Sequence, residues 1–222
     1  VAQFLNFFVP LNDYLLIFNI FLLLVYLFVF RNNLKFDKKI DLKILSVLII
    51  LSFVNIYGSN FSDDLNHYHY SSISNADSNN FIWGQNFLHP LYGTASSWLI
   101  GHSYFNFDQH RLQDIHILNG IILFLVMGCF FSDLFSGKKK EIYYPIFFSL
   151  LIFILIKYTR LKEFGIDRPA TLIFCFLIYF YLKYFFNIEK NEIIQNFIII
   201  LFLSIFLFLI KIIYLPVLFI PL

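Results

Sequence analysis

The sequence predicts an all-α fold, a polytopic transmembrane helix bundle with a large outer loop that carries short interfacial helices. Three observations predict it. Apolar residues make up 59% of the 222 positions and charged residues only 14%, well short of the quarter that is usual in a soluble domain. The apolar residues gather in runs close to the roughly 17 to 25 residues that a bilayer core requires. Between two of these runs lies one polar stretch, Asn60 to His116, which holds all six histidines, both tryptophans and five of the fourteen acidic residues.

Six runs are read as spans, at about Leu11 to Phe30, Lys43 to Tyr57, Ile115 to Phe135, Ile142 to Tyr158, Pro169 to Phe186 and Ile193 to Tyr214. Their connections are sorted by charge. Arg31, Lys35, Lys38, Lys39 and Lys43 fill the first, Lys138, Lys139 and Lys140 the third, and Lys183 and Lys190 flank the fifth span, which places these ends in the cytoplasm by the positive-inside rule. The N-terminus and the polar loop, about residues 59–114, then face outward. In a bacterium this is a multi-pass inner-membrane protein with that loop and the N-terminus in the periplasm. The net charge of +2 is spread over the span ends and forms no patch, so nucleic acid is not an expected partner. Cys129 and Cys175 fall within spans without CxxC spacing and read as small buried residues. The chain opens on Val and stops inside an apolar run, so residues 1–222 are read as one membrane domain, a fragment of a longer protein.

Within the polar loop, Ser62 before Asp63 and Asp64 marks a helix start, since a serine caps a free N–H and carboxylates suit the first turn. That helix is expected to run to about Ala76. On it Asp63 and Asp64 lie four and three residues before His67, close enough to share a face; in an extended chain His67 and His69 would instead share one, as in a His-x-His metal pair. Asp63 and Asp64 are therefore candidate catalytic groups, able to take a proton from a hydroxyl or to help hold a divalent cation. The plainer alternative is a capped, solvated interfacial helix. A Ser/Asn-rich turn leads into FIWGQNFLHPLYGTASSWLIGHSYF, where Gly84, Pro90 and Gly93 interrupt helix and Tyr92 to Tyr104 reads as a second short helix. His89, ahead of Pro90, is held out of helical conformation and is a candidate for facing a cleft or for a backbone hydrogen bond.

A third polar cluster, KYTRLKEFGIDRP from Lys157 to Pro169, is basic on the predicted outer side. Arg160 and Arg168 suit an anionic head group such as a lipid phosphate; ion pairing within the loop is the alternative. Lys211, near the end of the sixth run, is expected to snorkel or to join that cluster. Asp133, close to Lys138, reads as an ordinary interfacial charge.

Four elements, DDLNHYHYSSISN, FLHPLYGTASSWL, EFGIDRPATL and IKIIYLPVLFIPL, resemble in order and spacing a family of bacterial polytopic membrane proteins named after a Leptospira member and found among surface-polysaccharide genes. The resemblance covers roughly Asn60 to Leu222. Its pattern maps onto Asp63 or Asp64 with Tyr68 and His67 or His69; then Asn86, His89, Ser96, Ser97 and Trp98; then Phe164, Gly165, Asp167 and Pro169; then Lys211, Leu215 and Pro216. Phe164 stands where the pattern has Tyr. The layout is similar to membrane glycosyltransferases of the C type, in which an acidic residue of the first outer loop acts on the acceptor. The resemblance implies transfer of a sugar from a polyprenyl-phosphate-linked donor, with membrane lipid as the other partner. On that reading Asp63 or Asp64 is the catalytic group, His67, His69 and His89 shape the acceptor cleft, Arg160, Arg168 and Lys211 hold phosphate, and Asn86 and Asp167 are further substrate-binding candidates. A polysaccharide polymerase and a transporter or flippase without covalent chemistry are the alternatives.

Overall fold

The computed structural model describes residues 6, 8–30, 42–57, 69–79, 96–106, 116–135, 144–161, 165–186 and 193–219. Every regular element among them is helical. In chain order these are α1 (Asp13–Phe30), α2 (Leu42–Tyr57), α3 (Tyr70–Ser78), α4 (Ser97–His102), a 3-10 turn (Ser103–Phe105), α5 (Ile117–Phe135), α6 (Tyr144–Leu161), α7 (Asp167–Phe185), α8 (Ile193–Ile210) and a 3-10 segment (Ile212–Phe219).

The spacing of buried residues on α7 makes it the centre of the packing. Leu172, Cys175 and Tyr179 recur at i, i+3 and i+7 and pack with Leu48 of α2, Leu123 to Leu134 of α5 and Phe147, Leu151 and Ile154 of α6. Ala170, Ile173 and Leu177, one position round, pack with Trp98 of α4, with Ile200, Leu203, Leu207 and Ile210 of α8, and with Val217. Two stripes of helical period thus bury two faces of one helix. Gly120 lets α2 and α5 approach closely, because a Cβ there would stand 2.6 Å from Ile56. The Tyr158 hydroxyl donates to the carbonyl of Leu51 (2.5 Å), tying α6 to α2.

Helix ends follow local chemistry. Asn12 Oδ1 accepts from the Leu15 N–H (3.2 Å) and caps α1. The Leu11 N–H in turn donates to the Ala76 carbonyl (2.8 Å), which fixes the start of α1 to the end of α3. Sequence spacing puts the start of the fifth run at Pro169, but α7 begins two residues earlier, at Asp167, with Pro169 inside its first turn, where no backbone N–H is needed. The sixth apolar run extends to Tyr214, yet α8 stops at Ile210 and is followed by the 3-10 segment that contains Pro216. Pro216 has no N–H to donate to the preceding turn. Of the loop helices, α3 covers Tyr70–Ser78, two residues past the expected end at Ala76, while the expected start at Ser62 lies outside the described residues; the second begins at Ser97, after the extended Ser96, and passes into the 3-10 turn.

Six long spans were expected. Among the described residues, Ile117–Leu134 is long and apolar enough to cross a membrane by length and composition; Lys43–Tyr57, Tyr144–Tyr158 and Ile194–Ile210 are apolar but shorter. Asp167, Arg168 and Lys183 interrupt the apolar character of α7. Outside the packed seams the helices expose large apolar side chains, including Phe28 at 70%, Ile156 at 68% and Phe202 at 65% exposure. Exposed apolar faces of this kind mark surfaces that lipid or another protein covers.

Candidate functional site

At the end where α2, α6 and α8 finish and α5 and α7 begin, polar side chains from four separated segments meet. Ser96 occupies the N-cap of α4: its hydroxyl accepts from the Trp98 N–H (3.2 Å) and donates to the carbonyl of Ile210 (2.8 Å). One serine thus caps one helix and satisfies a terminal carbonyl of another, 114 residues away. The next residue after that carbonyl is Lys211, whose ammonium pairs with the Asp167 carboxylate at the start of α7. An acid in the first turn is already favoured by the helix dipole, and the lysine adds a direct ion pair. Ahead of Asp167, Gly165 faces the first loop helix, since a Cβ on it would lie 4.0 Å from His69 Cε1. Ile166 packs with Tyr70, Ile73 and Leu99.

Trp98 is the anchor of this end. It is buried at 1% exposure, its indole Nε1 donates to Asn119 Oδ1 (3.2 Å), and its ring meets His102 edge-on at 5.5 Å between centroids. Asn119 and Asn55 then line a cavity of about 10 Å3 with Ile122, Leu123, Pro169 and Leu172, roughly the room one water needs. Asn55 is fully buried, and its Oδ1 and Nδ2, like Asn119 Nδ2, have no hydrogen-bond partner among the described residues. An amide group so placed costs about 1–3 kcal/mol when its bonds go unmade, so this cavity favours a small polar occupant.

His69, His102 and His116 are all buried.

A profile of the family described as a domain of unknown function, DUF8201, matches residues 1–222. The chain belongs to this family. No curated protein and no solved structure matches it. The family match spans all four sequence elements singled out above, and the geometry joins parts of each: His69, Ser96 with Trp98, Gly165 with Asp167, and Lys211.

Several expected site residues are placed differently from a simple loop reading. Arg160 lies within α6, which continues to Leu161, so it extends a helix where a loop was drawn; its side chain is outside the described residues. Arg168 sits in the first turn of α7 and lines a groove against α6 with Lys157. His69 is buried at 3% exposure, a place in the wall of the site and not at an open surface. Asp63, Asp64, His67, Asn86 and His89 lie outside the described residues. Among the described residues no three His, Cys, Asp or Glu side chains are grouped to hold a metal ion.

Sequence reasoning passed over Asn55, Asn119, His102 and His116. A signal was available for the asparagines: each interrupts an apolar run within a turn or so of the same predicted end, in SFVNIY and HILNGI. A polar group in such a run must find a partner or a cavity.

Proposed function

We propose that this chain is a multi-pass protein of the bacterial inner membrane that transfers a sugar from a polyprenyl-phosphate-linked donor on the periplasmic face. The observation that carries the reading is the meeting of Ser96, Asp167 and Lys211, with His69 beside Gly165, at one end of a bundle whose outer surface is apolar. The exposed Phe, Ile and Leu of α1, α2, α6 and α8 support immersion in lipid, in which such faces are solvated and polar groups withdraw to helix ends. The resemblance to C-type glycosyltransferases in layout supports the reaction class.

In this reading the acceptor hydroxyl attacks the anomeric carbon, its proton passes to Asp63 or Asp64, and the bond from that carbon to the phosphate oxygen breaks to release the polyprenyl phosphate. Arg160, Arg168 and Lys211 stabilise the phosphate, and Asp167 fixes the position of Lys211. His67, His69, Asn86 and His89 are assigned to the acceptor.

Membranes carrying the full protein, a radiolabelled polyprenyl-phosphate sugar and a lipid acceptor provide the test. Asp63→Asn or Asp64→Asn is expected to lower transfer by about 100-fold or more, the usual contribution of a general base. Full-rate transfer in both variants would sink the base assignment. Movement of an unaltered substrate across proteoliposomes, without any change in its mass, would replace the transferase with a transporter.

A further inference from the structure

The cavity between Asn55 and Asn119 lies where three helix ends meet. Asn55 is two residues from the end of α2, Asn119 is the third residue of α5, and Pro169 is the third residue of α7. The other side chains of the lining, Ile122, Leu123 and Leu172, are apolar like Pro169, so the two amides supply every polar side-chain group of the wall. Asn119 spends its oxygen on the Trp98 indole. That leaves Asn55 Oδ1, Asn55 Nδ2 and Asn119 Nδ2, which are buried and unmatched among the described residues. The two amides face one cavity and do not bond to each other.

These groups select an occupant by chemistry and by size. One of them accepts and two donate. A metal cation collects several oxygen ligands, whereas a single unmatched side-chain oxygen faces this cavity. An anion would suit the two Nδ2 groups but would stand against the lone pairs of Asn55 Oδ1. Water gives and takes, so it can accept from an amide N–H on one helix and donate to an amide oxygen on the other. Turning the Asn55 amide over keeps this match, because either orientation presents one acceptor and one donor group. A cavity of about 10 Å3 is of the size that holds one water molecule, and a buried water makes about three hydrogen bonds to groups of this kind.

We propose that this cavity is a hydration site, in which a single ordered water accepts from Asn119 Nδ2 and donates to Asn55 Oδ1. The water joins the end of α2 to the start of α5, behind Trp98 and beside the first turn of α7. In a bundle immersed in lipid the two amides have no substitute for it, because hydrocarbon offers no hydrogen bond. Two asparagines that interrupt apolar runs thereby acquire one shared role. The site concerns the packing of this chain and stands or falls independently of the transferase reading.

X-ray radiolysis of the full protein in nanodiscs tests it, because hydroxyl radicals formed from a bound water oxidise the side chains around that water. Leu123 is 1% and Leu172 4% exposed, so radicals formed in bulk solvent do not reach them. Rapid mixing into oxygen-18 water just before the pulse separates the two sources. Side chains at the surface take up oxygen-18, whereas a slowly exchanging internal water delivers oxygen-16. The expected result is oxygen-16 on Leu123, Pro169 or Leu172 in the wild type. Asn55→Val replaces both polar atoms with methyl groups and should abolish that label. Asn55→Ser, whose hydroxyl still gives and takes a hydrogen bond, should retain it.

A wild type with no oxygen added to any of the three side chains would overturn the site. So would oxygen-18 uptake there as fast as at the surface, or an unchanged oxygen-16 yield in Asn55→Val. The first two outcomes are read on the wild type alone, so the site remains open to refutation even where Asn55→Val fails to fold.

Discussion

Trp98→Ala is expected to be among the most destabilising single substitutions in the chain, with a loss of about 3–5 kcal/mol. The side chain is buried at 1% exposure and sits in the cluster formed with Ala170 and Ile173 of α7 and Ile200, Leu203 and Leu207 of α8. In a membrane the transfer part of such a loss shrinks, because lipid is as apolar as the core; the cavity part stays, since packing is what holds helices together there. A second contribution is polar. Without the indole N–H, Asn119 Oδ1 loses its donor beside a cavity that already contains Asn55. Trp98→Phe separates the two, for it keeps most of the ring and removes the bond, and should lose about 1–3 kcal/mol. Because Ser96 and Trp98 belong to one short helix, the alanine variant should also loosen the bond from Ser96 to the Ile210 carbonyl, and with it the position of Lys211. Unfolding of the purified protein in mixed micelles measures both variants. If alanine and wild type unfold at the same denaturant level, Trp98 is not an anchor.

The parts of this arrangement differ in how far sequence reaches them. An apolar run announces a helix, so each of the six runs coincides with most of one long helix, α1, α2, α5, α6, α7 or α8. The run does not announce its own end. Arg160 looks like a loop residue because it is charged, but an α-helix continues through charges as long as its backbone bonds are met, and α6 reaches Leu161. α8 ends at Ile210, whose carbonyl accepts from the Ser96 hydroxyl, a partner 114 residues away that no local spacing shows. The site was legible as four short elements in a fixed order, and their meeting depends on tertiary contacts that no local spacing encodes. Ser96 and Ile210, or Trp98 and Asn119, share no period. What sequence did offer was direction: alternating apolar runs return the starts of α5 and α7 to the same end as the finishes of α2, α6 and α8, so residues at those ends are the ones able to meet.

At the opposite end of α5 and α7, Asp133 carries the second large effect. It reads from sequence as an interfacial charge, yet it is engaged from two sides. Lys183 Nζ stands 2.6 Å from its Oδ2, the Tyr179 hydroxyl donates to the same oxygen (2.5 Å), and the Lys183 ammonium lies 4.8 Å from the Tyr179 ring centroid. The two charged side chains are only 14% and 17% exposed. Removing one partner of a fully buried pair costs about 3–5 kcal/mol because the other charge is left behind; partial exposure lets Lys183 reach water, so Asp133→Ala should lose about 2–4 kcal/mol. The sign of the double variant is the more informative result. Asp133→Leu with Lys183→Met leaves no orphaned charge, so it should be more stable than the sum of the single losses predicts, by about 1.5 kcal/mol or more. Such a coupling would mean that the pair clamps α5 to α7 and so holds the helix that presents Asp167 and Arg168 at its other end. Equilibrium unfolding of the wild type, both single variants and the double variant closes this cycle. Strict additivity would return Asp133 to the role of an interfacial charge.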